Sequence, residues 1–551
     1  MTRFGDRYGR REFLSRGASL TALGIGGTVL GACGTSSSSS GKVSAHPGIG
    51  SGTPRRGGTI TVGVASDIDG FSPASSHWDA TGLTYANVVF DSLTAIANDG
   101  TARPFLAQSV TPNSDYTVWT LTLRPNVVFH DGSPLNGAVV VANINALRAS
   151  PLTGQALSPV TSVTSPSTLT VVFTMSAPFV PFPYALSTQV GYIVGLSQLA
   201  DKNGSQNPVG TGPFSIVNWT QNNEFVVKAN PHYWQPGIPY LDGITFKPIV
   251  ADATRENTLR SGGVDLMVTR DPTAIVDLGS DSQYQQVSAL DQKIGEPDMD
   301  FIVLNTTVAP LSDLTVRQGL AYSLDVVTLG KLFGGGISKP STSLFQEGSP
   351  YYAPNGYPEF DLTKGKALIS QAKANHGGSI SFSLETIPDP KLEAAVQAIQ
   401  QMWNQAGCDV TIGTIQQVDL IQNMATGINF QAYTSEQFGA FDPDLNYVWW
   451  DSSSAKGPIA LNFARNQDPQ IDAALTLGRT SADPATRIKA YQTVDQRLAA
   501  DLPYLWLRIA PWSMTASTKV QNFANAGLPD GSHGFPFNGG VFNPTAIWLQ
   551  G

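Results

Sequence analysis

The chain has 551 residues, with 33 Lys and Arg against 42 Asp and Glu and a formal charge of −9. An acidic balance without basic clusters excludes nucleic acid and anionic lipid headgroups as expected partners. The length is too great for one core and implies roughly two or three domains.

At the amino end, Arg3, Arg7, Arg10, Arg11 and Arg16 precede an apolar stretch from Ala18 to Ala32 that stops at Cys33. This order reads as a targeting segment, not as part of the fold. Arg10-Arg11-Glu12-Phe13-Leu14 resembles a twin-arginine export signal, and Leu30-Gly31-Ala32-Cys33 resembles a lipoprotein cleavage and acylation site. The alternative, a plain membrane anchor, needs about 20 apolar residues, more than this stretch offers. Cleavage before Cys33 removes five Arg with Asp6 and Glu12, leaving a charge of about −12 on the mature chain. Residues 33–56 are rich in Ser, Gly and Pro and have little to bury, so they are expected to act as a tether. With Cys33 acylated, Cys408 has no partner for a disulfide, and the fold must rest on its core. No later apolar run is long enough to span a bilayer, so the body is expected to be soluble and not itself a transporter channel; the export signal and acylated Cys33 are expected to hold it outside the cell.

Along the body, Thr59 to Ser66 and Thr117 to Arg124 alternate as strands do. Phe301 to Asn305 and Tyr504 to Arg508 also read as strands, and they bracket a long stretch that mixes helices and strands. An inserted lobe must leave and re-enter its parent, so these two strands are expected at the two crossings of a hinge. Asp389 to Gln405, closed by Gly407, carries Leu392, Val396, Ile399 and Trp403 on one face. Asp483, with Pro484 next to it, caps a helix that runs to Ala500. The 54 Gly and 37 Pro are spread as punctuation, and no fixed period argues for a repeat architecture.

A series of motifs then runs through the body in order. Arg56-Gly57-Gly58-Thr59-Ile60-Thr61-Val62-Gly63 opens it, and Trp119-Thr120-Leu121-Thr122-Leu123-Arg124 is followed by Phe129-His130-Asp131-Gly132. Asn207-Pro208-Val209-Gly210-Thr211-Gly212-Pro213-Phe214, Leu259-Arg260-Ser261-Gly262-Gly263-Val264-Asp265 and Val316-Arg317-Gln318-Gly319-Leu320 come after. The chain resembles the large extracytoplasmic solute-binding proteins of ABC importers, family 5, which serve peptides, dipeptides and nickel chelates. The resemblance implies an α/β, type II periplasmic-binding-protein-like fold of two hinged lobes plus a small extra domain. By that analogy one lobe comprises 57–92, 206–300 and 510–551, the extra domain 93–205, and the other lobe 301–509. Within the motifs, Gly132, Gly210 and Gly212 are expected to meet turn geometry, and Arg124, Asp131 and Arg317 to form internal ion pairs.

The resemblance also implies a ligand site between the lobes. Ser66, Asp67 and Phe71, at the end of the opening strand, are expected to line it. In peptide-binding members, an aspartate three residues before an Asp-Pro-Asp-like sequence holds the peptide ammonium; here Asp442-Pro443-Asp444 puts Gly439 at that position. In dipeptide receptors an arginine before a helix of the second lobe holds the carboxylate; here Thr386 stands there. With both charged clamps missing, a zwitterionic dipeptide fits poorly. Tyr433, Glu436, Phe438, Phe441, Trp449 and Trp450 remain near the cleft, an aromatic set suited to sugar rings or apolar side chains, with Glu436 as a polar partner. Either the two tryptophans face ligand or they belong to the core, and Asp442 either touches ligand or caps a helix. Asp67 and Asp69 resemble only a fragment of a calcium loop, and no metal or other cofactor is expected.

The expected role is therefore capture of an oligopeptide or similar small solute by a monomer that docks on ABC permease subunits. An oligosaccharide or largely neutral solute is the alternative in the same fold, and signalling through a partner is a third role the sequence leaves open. A secreted hydrolase is the rival of another class. It lacks Gly-x-Ser-x-Gly and His-Glu-x-x-His, and the six histidines are scattered, so no catalytic residues are assigned.

Overall fold

The structure, a computed structural model, describes residues 48, 50, 52–427, 430–457 and 459–551. The export segment 1–32, Cys33 and most of the tether 33–56 lie outside the described residues. No helix among the described residues is long and apolar enough to cross a membrane.

Two large sheets organise the body. The first has seven strands, in the order Tyr284–Ser288, Ser513–Ser517, Leu266–Thr269, Thr59–Val64, Gly243–Pro248, Glu224–Ala229 and Phe214–Thr220. Its opening strand Thr59–Val64 runs parallel to both neighbours, which requires crossover connections; the remaining pairs are antiparallel. The second has five strands, ordered Asp409–Thr414, Ser381–Thr386, Ala432–Gln437, Met299–Leu304 and Tyr504–Ile509. A four-stranded antiparallel sheet is built within residues 107–175.

Separate apolar clusters follow these sheets. Val62, Phe71, Tyr85, Phe225 and Phe246 belong to one that also takes in Met514 and Ile547. Trp119, Phe173 and Phe182 centre another drawn wholly from residues 93–193. The strand Met299–Leu304 is buried on both faces, which is why it reads as a nearly unbroken apolar run. Ile302 and Leu304 face a cluster with Leu384 and Trp403, while Phe301 and Val303 face one with Tyr433 and Trp506.

The chain leaves the first sheet after Ser288, enters the second at Met299, and returns between Ile509 and Ser513. The outgoing strand Met299–Leu304 and the incoming strand Tyr504–Ile509 are neighbours. Both passages therefore lie side by side at one end of the second sheet.

Local signals explain the main helices. Asp389 caps Pro390–Ala406 by accepting the Leu392 N–H at 2.8 Å, and Gly407 ends the helix at φ 106°. Asp483 caps Pro484–Asp501 in the same way through Thr486.

The motif residues hold the scaffold by other means than expected. Arg124 donates to the Phe105 carbonyl at 2.6 Å and lies 5.2 Å over the Trp234 ring. Asp131 accepts from the hydroxyls of Ser133 and Ser197, and Arg317 donates to the carbonyls of Asp501 and Leu311. None of the three makes an ion pair among the described residues, because backbone and hydroxyl groups already satisfy them. Gly132 does adopt a left-handed turn, φ 83°. Gly210 and Gly212 are needed instead for close approach, since a Cβ on either would collide with the backbone of Val89.

Candidate functional site

The two sheets meet along a seam that is unusually rich in charge. On the strand Met299–Leu304, which lies between Ala432–Gln437 and Tyr504–Ile509, Asp300 stands directly across from Glu436 on one side and Arg508 on the other, so the three side chains share one face. Arg508 Nε donates to Asp300 Oδ2 at 2.7 Å. The first sheet contributes Arg270, just after Leu266–Thr269, and Trp512, just before Ser513–Ser517. Both converge on Glu436: Arg270 forms an ion pair with one carboxylate oxygen, and the Trp512 indole N–H donates to the other. Beside them, Lys391 in the first turn of its helix pairs with Asp271, which itself caps Pro272–Gly279 through Thr273 N at 3.0 Å.

Asp298 completes the set from the passage into the second sheet. The Gly439 N–H donates to its Oδ1 at 2.7 Å. A Cβ at 439 would come 2.5 Å from that oxygen, and one at Gly539 would collide with Oδ2, so glycine backbone brackets the carboxylate.

Burial governs the electrostatics here. It pushes the Glu436 carboxyl up to about 7, with Arg270 pulling the other way and Asp300 and Asp298 adding to the rise. Burial likewise raises Asp298 to about 6, against the Gly439 N–H. The Arg270 guanidinium is held above its ordinary value chiefly by the facing Glu436 charge. Arg270 nevertheless keeps 33% of its side-chain surface and Glu436 14%, so solvent reaches the seam.

Of the residues singled out in sequence, Glu436 and Gly439 sit at this seam. Phe441 lies nearby and meets Phe535 edge-on, with ring centroids 4.5 Å apart. The others are placed elsewhere. Ser66 donates to Asp79 and Thr81; Asp67 accepts from Trp219 and from the Asn222 N–H at 2.5 Å. Phe71 is fully buried against Trp219 and Phe225, and Asp69 pairs with His77. Thr386 is buried and accepts the Thr434 hydroxyl at 3.0 Å.

The aromatic segment turns inward. Phe438, at φ 84°, stacks on Phe301 with centroids 4.9 Å apart and touches Trp450, Tyr504 and Trp506. Tyr433 is buried against Phe430, and Trp449 packs on Phe463 at the edge of the same core. Their faces are spent on one another, so the core reading accounts for them. Asp442 accepts the Asp444 N–H at 2.9 Å, capping the turn it begins, and pairs with Arg487 at 2.5 Å. Its carboxylate is committed within the second half of the chain.

Arg270, Asp298, Asp300, Arg508 and Trp512 were not singled out from sequence. Asp298 and Asp300 left a signal there, two carboxylates at strand spacing just ahead of an apolar strand. Arg270 and Trp512 left none, because only the pairing of distant strands brings them to Glu436.

The family model for bacterial extracellular solute-binding proteins, family 5, matches residues 101–458. The glutathione-binding protein GsiB of Pectobacterium atrosepticum is 24% identical over 489 residues, covering 84% of this chain and 90% of that protein. The probable D,D-dipeptide-binding periplasmic protein DdpA of Escherichia coli is 25% identical over 478 residues, covering 84% of this chain and 91% of its own length. Among solved structures, the periplasmic binding protein DppA of Helicobacter pylori in complex with the peptide STSA superposes with a TM-score of 0.80 at 21% identity, covering 90% of this chain and 99% of that one. That likeness establishes the shared α/β periplasmic-binding-protein architecture.

Proposed function

The chain belongs to the bacterial extracellular solute-binding proteins of family 5, and from that premise we propose that it captures an oligopeptide or similar small organic solute between two lobes and hands it to ABC permease subunits. The proposed lobes are 57–92 with 206–300 and 510–551, and 301–509; residues 93–205 form the small extra domain. The proposed anchor is an acylated Cys33 outside the cell membrane, and the working unit a monomer. The role requires binding and release without chemistry on the solute.

The observation that carries this reading is the convergence of Arg270 and Trp512 from one sheet on Glu436 of the other. Contacts that cross a seam between two separately cored bodies exist only while those bodies are together. A solute that bridges the same seam therefore favours the closed arrangement. The relatives named for glutathione and for dipeptides support a small peptide-like solute. The charged side chains at the seam weigh against the oligosaccharide alternative, since a neutral guest leaves them without new partners.

Isothermal titration of the mature protein with a panel of short peptides, oligosaccharides and metal chelates tests the proposal. A peptide-like solute is expected to bind with a dissociation constant of about 1 μM or tighter, roughly −8 kcal/mol. Absence of binding across the panel contradicts it.

A further inference from the structure

With the two sheets together, the seam holds more anions than cations. The second sheet carries Asp300, Glu436 and Arg508 on one face, and the first brings Arg270 and the Trp512 indole against them. Asp298 stands beside them, on the passage between the sheets. Arg270 pairs with Glu436, and Arg508 with Asp300. Among the described residues Asp298 pairs with no cation; it accepts the Gly439 N–H, and glycine backbone at 439 and 539 packs against its two oxygens. The charges next to the cluster are already matched, Arg255 by Asp252 and Lys391 by Asp271.

Three carboxylates therefore share two guanidinium groups, and an unmatched buried anion is costly. Glycine backbone this close to Asp298 leaves room for only the smallest neutralising group, a proton from solvent. The excess arises on closing. When the bodies part, Arg270 and Trp512 withdraw from Glu436, and water solvates the carboxylates in their place.

We infer that closing of the two lobes takes up one proton at the seam, shared by the Glu436 and Asp298 carboxylates, so that acid favours the closed arrangement. The inference rests on the two-lobe receptor reading above and adds its regulation. Burial raises both carboxyls in the closed arrangement, Glu436 to about 7 and Asp298 to about 6, with Arg270 opposing the rise and Asp300 adding to it. A closed-state value above the open-state one means that the closed form binds the extra proton. Its advantage is complete below the ordinary carboxylate range and is lost as the pH rises through about 7. Groups this close titrate as a pair, so the proton belongs to both.

The test needs no solute. The protein with Cys33→Ser carries one spin label on each proposed lobe, at Lys228→Cys and Lys366→Cys, both exposed positions; Cys408 is buried. Pulsed dipolar spectroscopy reads the ratio of closed to open molecules between pH 5 and pH 8. The ratio is expected to rise at least about tenfold from pH 8 to pH 5, and to lose that dependence in the double variant Asp298→Asn with Glu436→Gln. Should the double variant fail to fold, Glu436→Gln alone is expected to abolish the part of the rise centred near pH 7 and keep the part near pH 6. A ratio that is the same at pH 5 and pH 8, or that falls in acid, overturns the proton uptake and leaves the receptor reading standing. A rise that survives the variants unchanged overturns Glu436 and Asp298 as its source. A single label distance at every pH that also stays fixed when short peptides, oligosaccharides and metal chelates are added overturns the hinged reading, and the proton uptake with it.

Discussion

Replacing Arg270 with Ala is expected to weaken solute binding by about 30-fold to several thousand-fold, the equivalent of 2–5 kcal/mol for truncating one member of a buried, hydrogen-bonded charge pair. The cause is specific to the seam. Arg270 is the cation that faces Glu436, and its loss leaves that carboxylate buried with Asp298 and Asp300 as its charged neighbours. The closed arrangement then carries an uncompensated cost that the separated lobes avoid by exposing Glu436 to water. Glu436→Ala is expected to weaken binding as well, by leaving Arg270 and the Trp512 indole without their common partner. Titrations of the two single variants and the double variant close a cycle, and the pair is expected to show a coupling of at least about 1.5 kcal/mol. Additive effects contradict the assignment of this pair as a closing contact.

For Asp444→Ala the expected loss is in stability, about 3–5 kcal/mol, measured as a lower midpoint in urea. Asp444 is buried and is held by Arg479 through Nε, at 2.9 Å from one carboxylate oxygen and 3.1 Å from the other, and through Nη2 at 3.0 Å. The same guanidinium lies 3.6 Å over the Tyr447 ring and 4.7 Å over Phe179, so it ties residues 444–479 to the segment around 179. Removing the carboxylate leaves a buried guanidinium unpaired. Replacing both members, Asp444→Leu with Arg479→Met, is expected to cost far less, because no lone charge remains. Equal losses in the single and double variants contradict this account.

Much of the architecture could be read from the chain alone, because its signals are local. Asp389, Pro390 and Gly407 mark a helix by capping chemistry, and Phe301 to Asn305 reads as a strand because both faces of the structural strand Met299–Leu304 are buried. The ordered motifs pointed to the family that the comparisons establish. The site was far less legible. The aromatic run from Tyr433 to Trp450 has the composition of a sugar platform, yet composition does not say which way a ring faces, and Phe438 at positive φ turns into the core. Positions 386 and 439 hold Thr and Gly, neither of them charged. The seam has charges, supplied by Asp298, Arg270 and Arg508 from segments whose neighbourhood is set only by strand pairing.

The central claim is that a guest lies between the two sheets, at the seam where Arg270 and Trp512 meet Glu436. Diffraction from crystals of the mature protein grown with the solute chosen by titration tests it most directly. Density for an unaltered solute is expected at the seam. Density anywhere else on the protein, or for a cleaved product, contradicts the account.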